Sequence, residues 1–112
     1  MIYLSLGSTI VSAFQVGRFT DGGSSNIGWA TSTNNGSTWT NGFLPGITKI
    51  VNPANPYDRV SDQSVDYNTK HNVWLIASLA ISTGTGSVVG AAVIVNRSTD
   101  GGQTWATLLL SN

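Results

Sequence analysis

Apolar and polar residues alternate with a period of two along most of this chain, and no stretch repeats its apolar positions every three to four residues as an amphipathic helix would. Taking that alternation, with β-branched and aromatic content, as the strand signal and Gly, Asn, Asp and Pro clusters as punctuation, the pattern predicts eight strands in two sets of four. The first set spans residues 2–6, 9–16, 27–33 and 38–44, and the second spans 63–68, 73–81, 90–99 and 104–110. Between them, "PGITKIVNPANPYDRVSD" holds all three prolines and reads as a connector, because Pro cannot donate to a strand ladder. No helix is expected.

The two sets share one layout. Each has a short connection between its first two strands, a longer Gly/Ser loop between the second and third, and then a near-identical octapeptide before the fourth: "STNNGSTW" at 32–39 and "STDGGQTW" at 98–105. The chain is therefore an internal repeat of two four-stranded units, residues 1–50 and 63–112, joined by a connector at 51–62. Within the octapeptide, Ser98 and Asp100 can accept hydrogen bonds from nearby backbone amides, Gly101 and Gly102 supply positive φ, and Thr104 and Trp105 lead into the next strand. In the first copy Asn34 stands where Asp100 stands. Its side-chain carbonyl can make the same turn bonds without the charge.

Ser98, Asp100, Gly102, Thr104 and Trp105 match the S-x-D-x-G-x-T-W pattern, and Ser32, Gly36, Thr38 and Trp39 match it with Asn34 as the single departure. In these residues the chain resembles the Asp-box, or bacterial neuraminidase repeat, β-propeller family, to which sialidases belong. The strand-rich stretches "STIVSAFQVGRFTDGG" and "DQSVDYNTKHNVWLIASL" are similar to blade-opening strands of sialidase-like domains, so the resemblance covers nearly the whole chain. It implies an all-β fold of two antiparallel blades, with the octapeptides as structural clasps. It also implies a secreted or extracellular origin.

Two blades cannot close a ring, and repeat architectures need about three units or more to cover their faces. The expectation is a homo-oligomer: six blades from three copies, with eight blades from four copies as the alternative. No signal leader is expected from the opening "MIYLSLGSTIVSAF", which reads as strand.

Charge narrows the function. Of 112 residues only five are acidic, all Asp, and five basic, for a net charge of zero, so no basic patch suits nucleic acid or an anionic membrane. Ser, Thr, Asn and Gly fill the space instead, a palette for strands and tight turns. Cysteine is absent, which removes disulfides and thiolate metal sites, and "STDGG" lacks the alternating carboxylates of a calcium loop. No metal and no cofactor is expected.

A sialidase-like mechanism uses a Tyr nucleophile activated by Glu, an Asp acid/base and an arginine cluster. This chain has no Glu and lacks the F/Y-R-I-P motif, "VGRFTD" offering Arg18 in a different context; Tyr3, Tyr57 and Tyr67 are available, Tyr67 within an alternating strand that suits packing. His71, the single histidine, falls in a hairpin turn. The expectation is a non-catalytic, self-assembling module with a structural or carbohydrate-binding role. The alternative is a fragment of a sialidase-like glycoside hydrolase whose catalytic residues lie on other blades. If a ligand binds, blade topology brings Arg18, Asp21, Asp58, Arg59 and Asp62 to one end, where guanidinium groups could hold carboxylates or sugar hydroxyls.

Overall fold

The structure is a computed structural model that describes residues 2–19, 22–55, 57–82 and 89–111. Eight strands follow in chain order: β1 (Ile2–Leu6), β2 (Thr9–Arg18), β3 (Ser24–Ser32), β4 (Thr40–Phe43), β5 (Arg59–Asn68), β6 (Val73–Ser82), β7 (Val89–Ser98) and β8 (Ala106–Ser111). They form one open antiparallel sheet with no helix among the described residues. Strands β1 to β4 make one meander and β5 to β8 a second. A single residue pair, Ser24 with Val60, joins the two ladders.

Each strand sits close to its predicted span, and the differences have local causes. Strand β5 starts at Arg59, four residues ahead of expectation, because a bulge at Asp62 and Gln63 lets pairing with β6 continue past the irregularity. Asp62 takes the left-handed conformation there, with φ of 53°. Strands β4 and β8 start two residues late, at Thr40 and Ala106, because the amides of Thr38 and Thr104 bond to the side chains of Asn34 and Asp100.

The two meanders repeat each other in register. Ile10 pairs with Ser32 as Trp74 pairs with Ser98, Val11 with Thr31 as Leu75 with Arg97, and Ala13 with Trp29 as Ala77 with Val95. The outer hairpins follow suit: Tyr3 pairs with Ser12 as Val65 with Ile76, and Trp29 with Gly42 as Val95 with Leu108. Residues directly opposite in an antiparallel ladder share a face. Each meander therefore has two faces, and away from the bulges of the second their residues correspond.

One face of the first meander is buried against one face of the second. Val11, Ala13, Ile27 and Trp29 form a single cluster with Val60, Trp74 and Ile76, and Leu4, Val65, Tyr67 and Trp105 pack at its margin. Burying side chains of this size stabilises by about 1.5–3 kcal/mol each, so this seam is the main source of cohesion between the halves. Polar side chains complete it. Thr31 Oγ1 donates to the Gly102 carbonyl at 2.8 Å, Ser24 Oγ to the Val60 carbonyl at 2.9 Å, and Gln15 Nε2 to Ser61 Oγ at 3.3 Å.

Candidate functional site

The repeated octapeptides fold into the same turn. Asn35 and Gly36 have φ of 60° and 90°, and Gly101 and Gly102 have 76° and 85°. Ser32 Oγ receives the Gly36 amide at 2.8 Å and donates to Asn34 Oδ1 at 2.9 Å; Ser98 Oγ receives the Gly102 amide at 2.9 Å and donates to Asp100 Oδ1 at 2.6 Å. The amides of Thr38 and Thr104 close the loop onto Asn34 Oδ1 and Asp100 Oδ1, both at 2.9 Å. One bond reverses its polarity. Asn34 Nδ2 donates to Thr38 Oγ1 at 2.7 Å, whereas the Thr104 hydroxyl donates to Asp100 Oδ2.

The extra acceptor capacity of a carboxylate explains the difference, and it shifts the group's titration. The Ser98 hydroxyl, then the Thr104 hydroxyl and amide, and then the Gln103 amide hold the Asp100 carboxyl well below the usual carboxylate range. The clasp is built around an ionised Asp100.

The two tryptophans that end the octapeptides have different surroundings. Trp105 lies in the seam, its ring centroid 6.3 Å from that of Trp29, and its indole nitrogen is buried without a hydrogen-bond partner among the described residues. Trp39, its counterpart, is 47% exposed, and its Nε1 donates to the Gly36 carbonyl at 3.1 Å. Around Trp39, the second face of the first meander is open. Tyr3, Ile10, Phe14, Ala30 and Trp39 line an apolar hollow of about 420 Å³, and Phe43 stands exposed beyond it. The opposite face of the second meander carries Leu75, Ala77, Leu79, Val93, Val95 and Leu108, of which Val93 and Leu108 are exposed.

At the other end of the strands, the charged residues singled out from the sequence fall into separate small groupings. Arg59 lies against the β2–β3 loop, its guanidinium 4.2 Å from the centre of the Phe19 ring and donating to the Gly22 carbonyl at 2.9 Å. Asp58 pairs with Lys49 at 3.5 Å. Asp62 is exposed on the β5 bulge and accepts from Ser61 Oγ at 3.3 Å. Arg18 lines a polar hollow of about 230 Å³ with Phe14, Gln15 and Gln63, where Gln63 Oε1 is buried without a partner among the described residues. Asp21 and residues 83–88 lie outside the described residues.

Gln15 and Gln63 were missed by sequence reasoning, which searched for charge. Gln63 could have been found only by foreseeing the bulge. Tyr67 packs its ring on Trp74 with centroids 4.9 Å apart, and its hydroxyl donates to Asn72 Oδ1. His71 is exposed in the β5–β6 turn, with its amide bonded to Asn68 Oδ1 at 3.3 Å. No group of three or more His, Asp or Glu side chains able to hold a metal occurs among the described residues.

Comparison with known proteins returns no matching family model, no matching curated protein and no matching solved structure.

Proposed function

We propose that the chain is a non-catalytic building unit of an Asp-box-type β-propeller, completing its ring with further copies of itself and presenting a repeated polar rim with a structural or carbohydrate-binding role. One observation carries this reading. The two apolar faces left open on the protomer are the repeat counterparts of the two faces that pack together inside it. A head-to-tail contact that repeats an internal one generates a ring when its rotation closes. At roughly 60° per unit, three copies close six blades, and four copies at a smaller angle close eight.

Light scattering or sedimentation of the purified chain tests the reading. A defined trimer, or failing that a tetramer, is the expected mass; a folded monomer at micromolar concentration overturns it. The rim has its own test. The hollow beside Arg18 offers a guanidinium fork, the buried Gln63 acceptor and the Phe14 ring, a set suited to a sugar bearing a carboxylate. Repetition around an axis would add avidity for a repeating acidic glycan. Calorimetry with such a glycan should show binding by the wild type that Arg18→Ala removes, and equal binding by both would clear the hollow of that role. Arg18 is the cleaner target, because Arg59 also holds the β2–β3 loop.

Catalysis is not part of the proposal. The chain contains no Glu to activate a tyrosine nucleophile, and the Tyr67 hydroxyl is engaged with Asn72. A fluorogenic sialoside should remain intact. Turnover that follows the protein through purification and is lost in Tyr67→Phe would reverse this.

A further inference from the structure

Resting on the self-assembly reading above, we infer that the seam between copies reproduces the register-matched part of the internal seam, with Arg97 of one copy acting on the Gly36 turn of the next as Thr31 acts on Gly102 within the chain. From Ile2 to Phe43 the ladder pairs of the first meander, Arg18 with Ser24 apart, recur in the second, so this part of the internal seam is a template for a contact between copies. Val11, Ala13, Ile27 and Trp29 become Leu75, Ala77, Val93 and Val95, and Val65, Trp74, Ile76 and Trp105 become Tyr3, Ile10, Ser12 and Trp39. The transferred residues lie on the two faces described above, Ser12 and Val95 already buried within the protomer and the others at least partly accessible.

Some of the substitutions offset one another in volume, while Ser12 for Ile76 and Val93 for Ile27 leave the transferred set smaller than the internal one, so the copies must approach closely to pack at interior density. Ile10 is smaller than the Trp74 it replaces, while Leu75 is larger than Val11. Tyr3 exceeds Val65 in size, while Val95 is smaller than Trp29. Trp39 keeps the indole, and the hollow of about 420 Å³ beside it is the space that the next copy's leucines and valines fill.

The polar contact transfers with a change of chemistry. A Cβ added to Gly102 would lie 2.9 Å from Thr31 Oγ1 and 3.1 Å from Val11 Cγ2, so this glycine exists to let the turn close on the neighbouring meander. Gly36 has no such neighbour on the protomer: its own Cβ would meet only Trp39 and Ile10, at 3.7 and 3.9 Å. It nevertheless keeps glycine and the same backbone conformation. Arg97 stands in the position of Thr31, exposed and with no side-chain hydrogen bond or ion pair among the described residues. A guanidinium there reaches the free lone pair of the Gly36 carbonyl, whose other acceptor site takes the Trp39 indole.

The absence of cysteine makes the test clean. A Gly36→Cys, Arg97→Cys double variant, oxidised mildly, should give a non-reducing ladder at multiples of the protomer mass, and neither single variant should. In parallel, Arg97→Thr should assemble as the wild type does, and Arg97→Glu should weaken association about tenfold, because a carboxylate cannot donate to the carbonyl. An assembled wild type with no ladder from a folded double variant, or with equal association of the Arg97→Thr and Arg97→Glu variants, overturns this seam and leaves self-assembly standing. A ladder from Gly36→Cys alone would mean a symmetric contact and also overturns it. A wild type that stays monomeric removes both readings.

Discussion

Replacing Asp100 by Asn converts the second clasp into the chemistry of the first, and the structure supplies the size and the pH dependence of the effect. Asp100 accepts from the Ser98 hydroxyl at 2.6 Å, the Thr104 amide at 2.9 Å, the Gln103 amide at 3.1 Å and the Thr104 hydroxyl. Asn34 shows that an amide keeps the turn, with two bonds accepted by its oxygen and one donated by its nitrogen. What the variant loses is charge assistance, the difference between about 1.5–3 kcal/mol and about 0.5–1.5 kcal/mol per bond. Asp100 is exposed, so water screens most of that sum, and the net cost at pH 7 should be about 1 kcal/mol. In a domain of about 100 residues this corresponds to about 4–8 °C in Tm.

The folded-state pKa lies below the unfolded one, so the contribution is complete above the unfolded value of about 4 and fades as pH falls through the acid range. Below the unfolded value the gap should narrow, and the two proteins converge only once the folded carboxyl is itself protonated. Thermal melts of wild type and Asp100→Asn at pH 7 and pH 3, at one protomer concentration because association shifts Tm, measure the gap. The same gap at both pH values, or none at pH 7, would refute an ionised clasp. Asn34→Asp should add a second acid-sensitive contribution of the same sign.

Other outcomes follow from the seam. Gly102→Ala should cost clearly more than Gly101→Ala, because both have positive φ but only the former drives a Cβ into Thr31 and Val11; equal denaturant midpoints would contradict the close approach. Trp105→Ala should cost about 3–5 kcal/mol, while Trp105→Phe should stay within about 1 kcal/mol, since the smaller ring also removes a buried N–H without a partner. Thr31→Val leaves the Gly102 carbonyl without its donor and should cost about 1–3 kcal/mol by urea titration, with a silent change removing that bond from the account.

Much of the architecture was legible because its signals are local. Alternation marked all eight strands, and the octapeptide announced its own hydrogen bonds: Ser32, Asn34, Ser98 and Asp100 all make the turn contacts their chemistry suggested. What was not legible depends on distant residues. The β5 bulge follows from continued pairing with β6, and the different fates of Trp39 and Trp105, which end near-identical octapeptides, depend on which meander lies beside them. The same limit applies at the loop end. Topology suggested one charged cluster, but Arg59 is held by Phe19 and Gly22, Asp58 by Lys49, and Arg18 lines a separate hollow with two glutamines.

That the two ladders meet in one residue pair has a consequence for how the chain can be cut. Each meander closes its own hairpins, and beyond Ser24 and Val60 the halves are held through side chains and through the segment between β4 and β5, where Leu44 and Ile47 join the buried cluster and Thr48 Oγ1 donates to the Ser25 carbonyl at 2.6 Å. That segment is part of the packing as well as the link, and its own two arms are joined where Thr48 bridges Tyr57. A cut among the exposed residues 52–54 would break no ladder. Two separately synthesised halves divided there should then recombine by mass action when mixed, to a degree set by their concentrations.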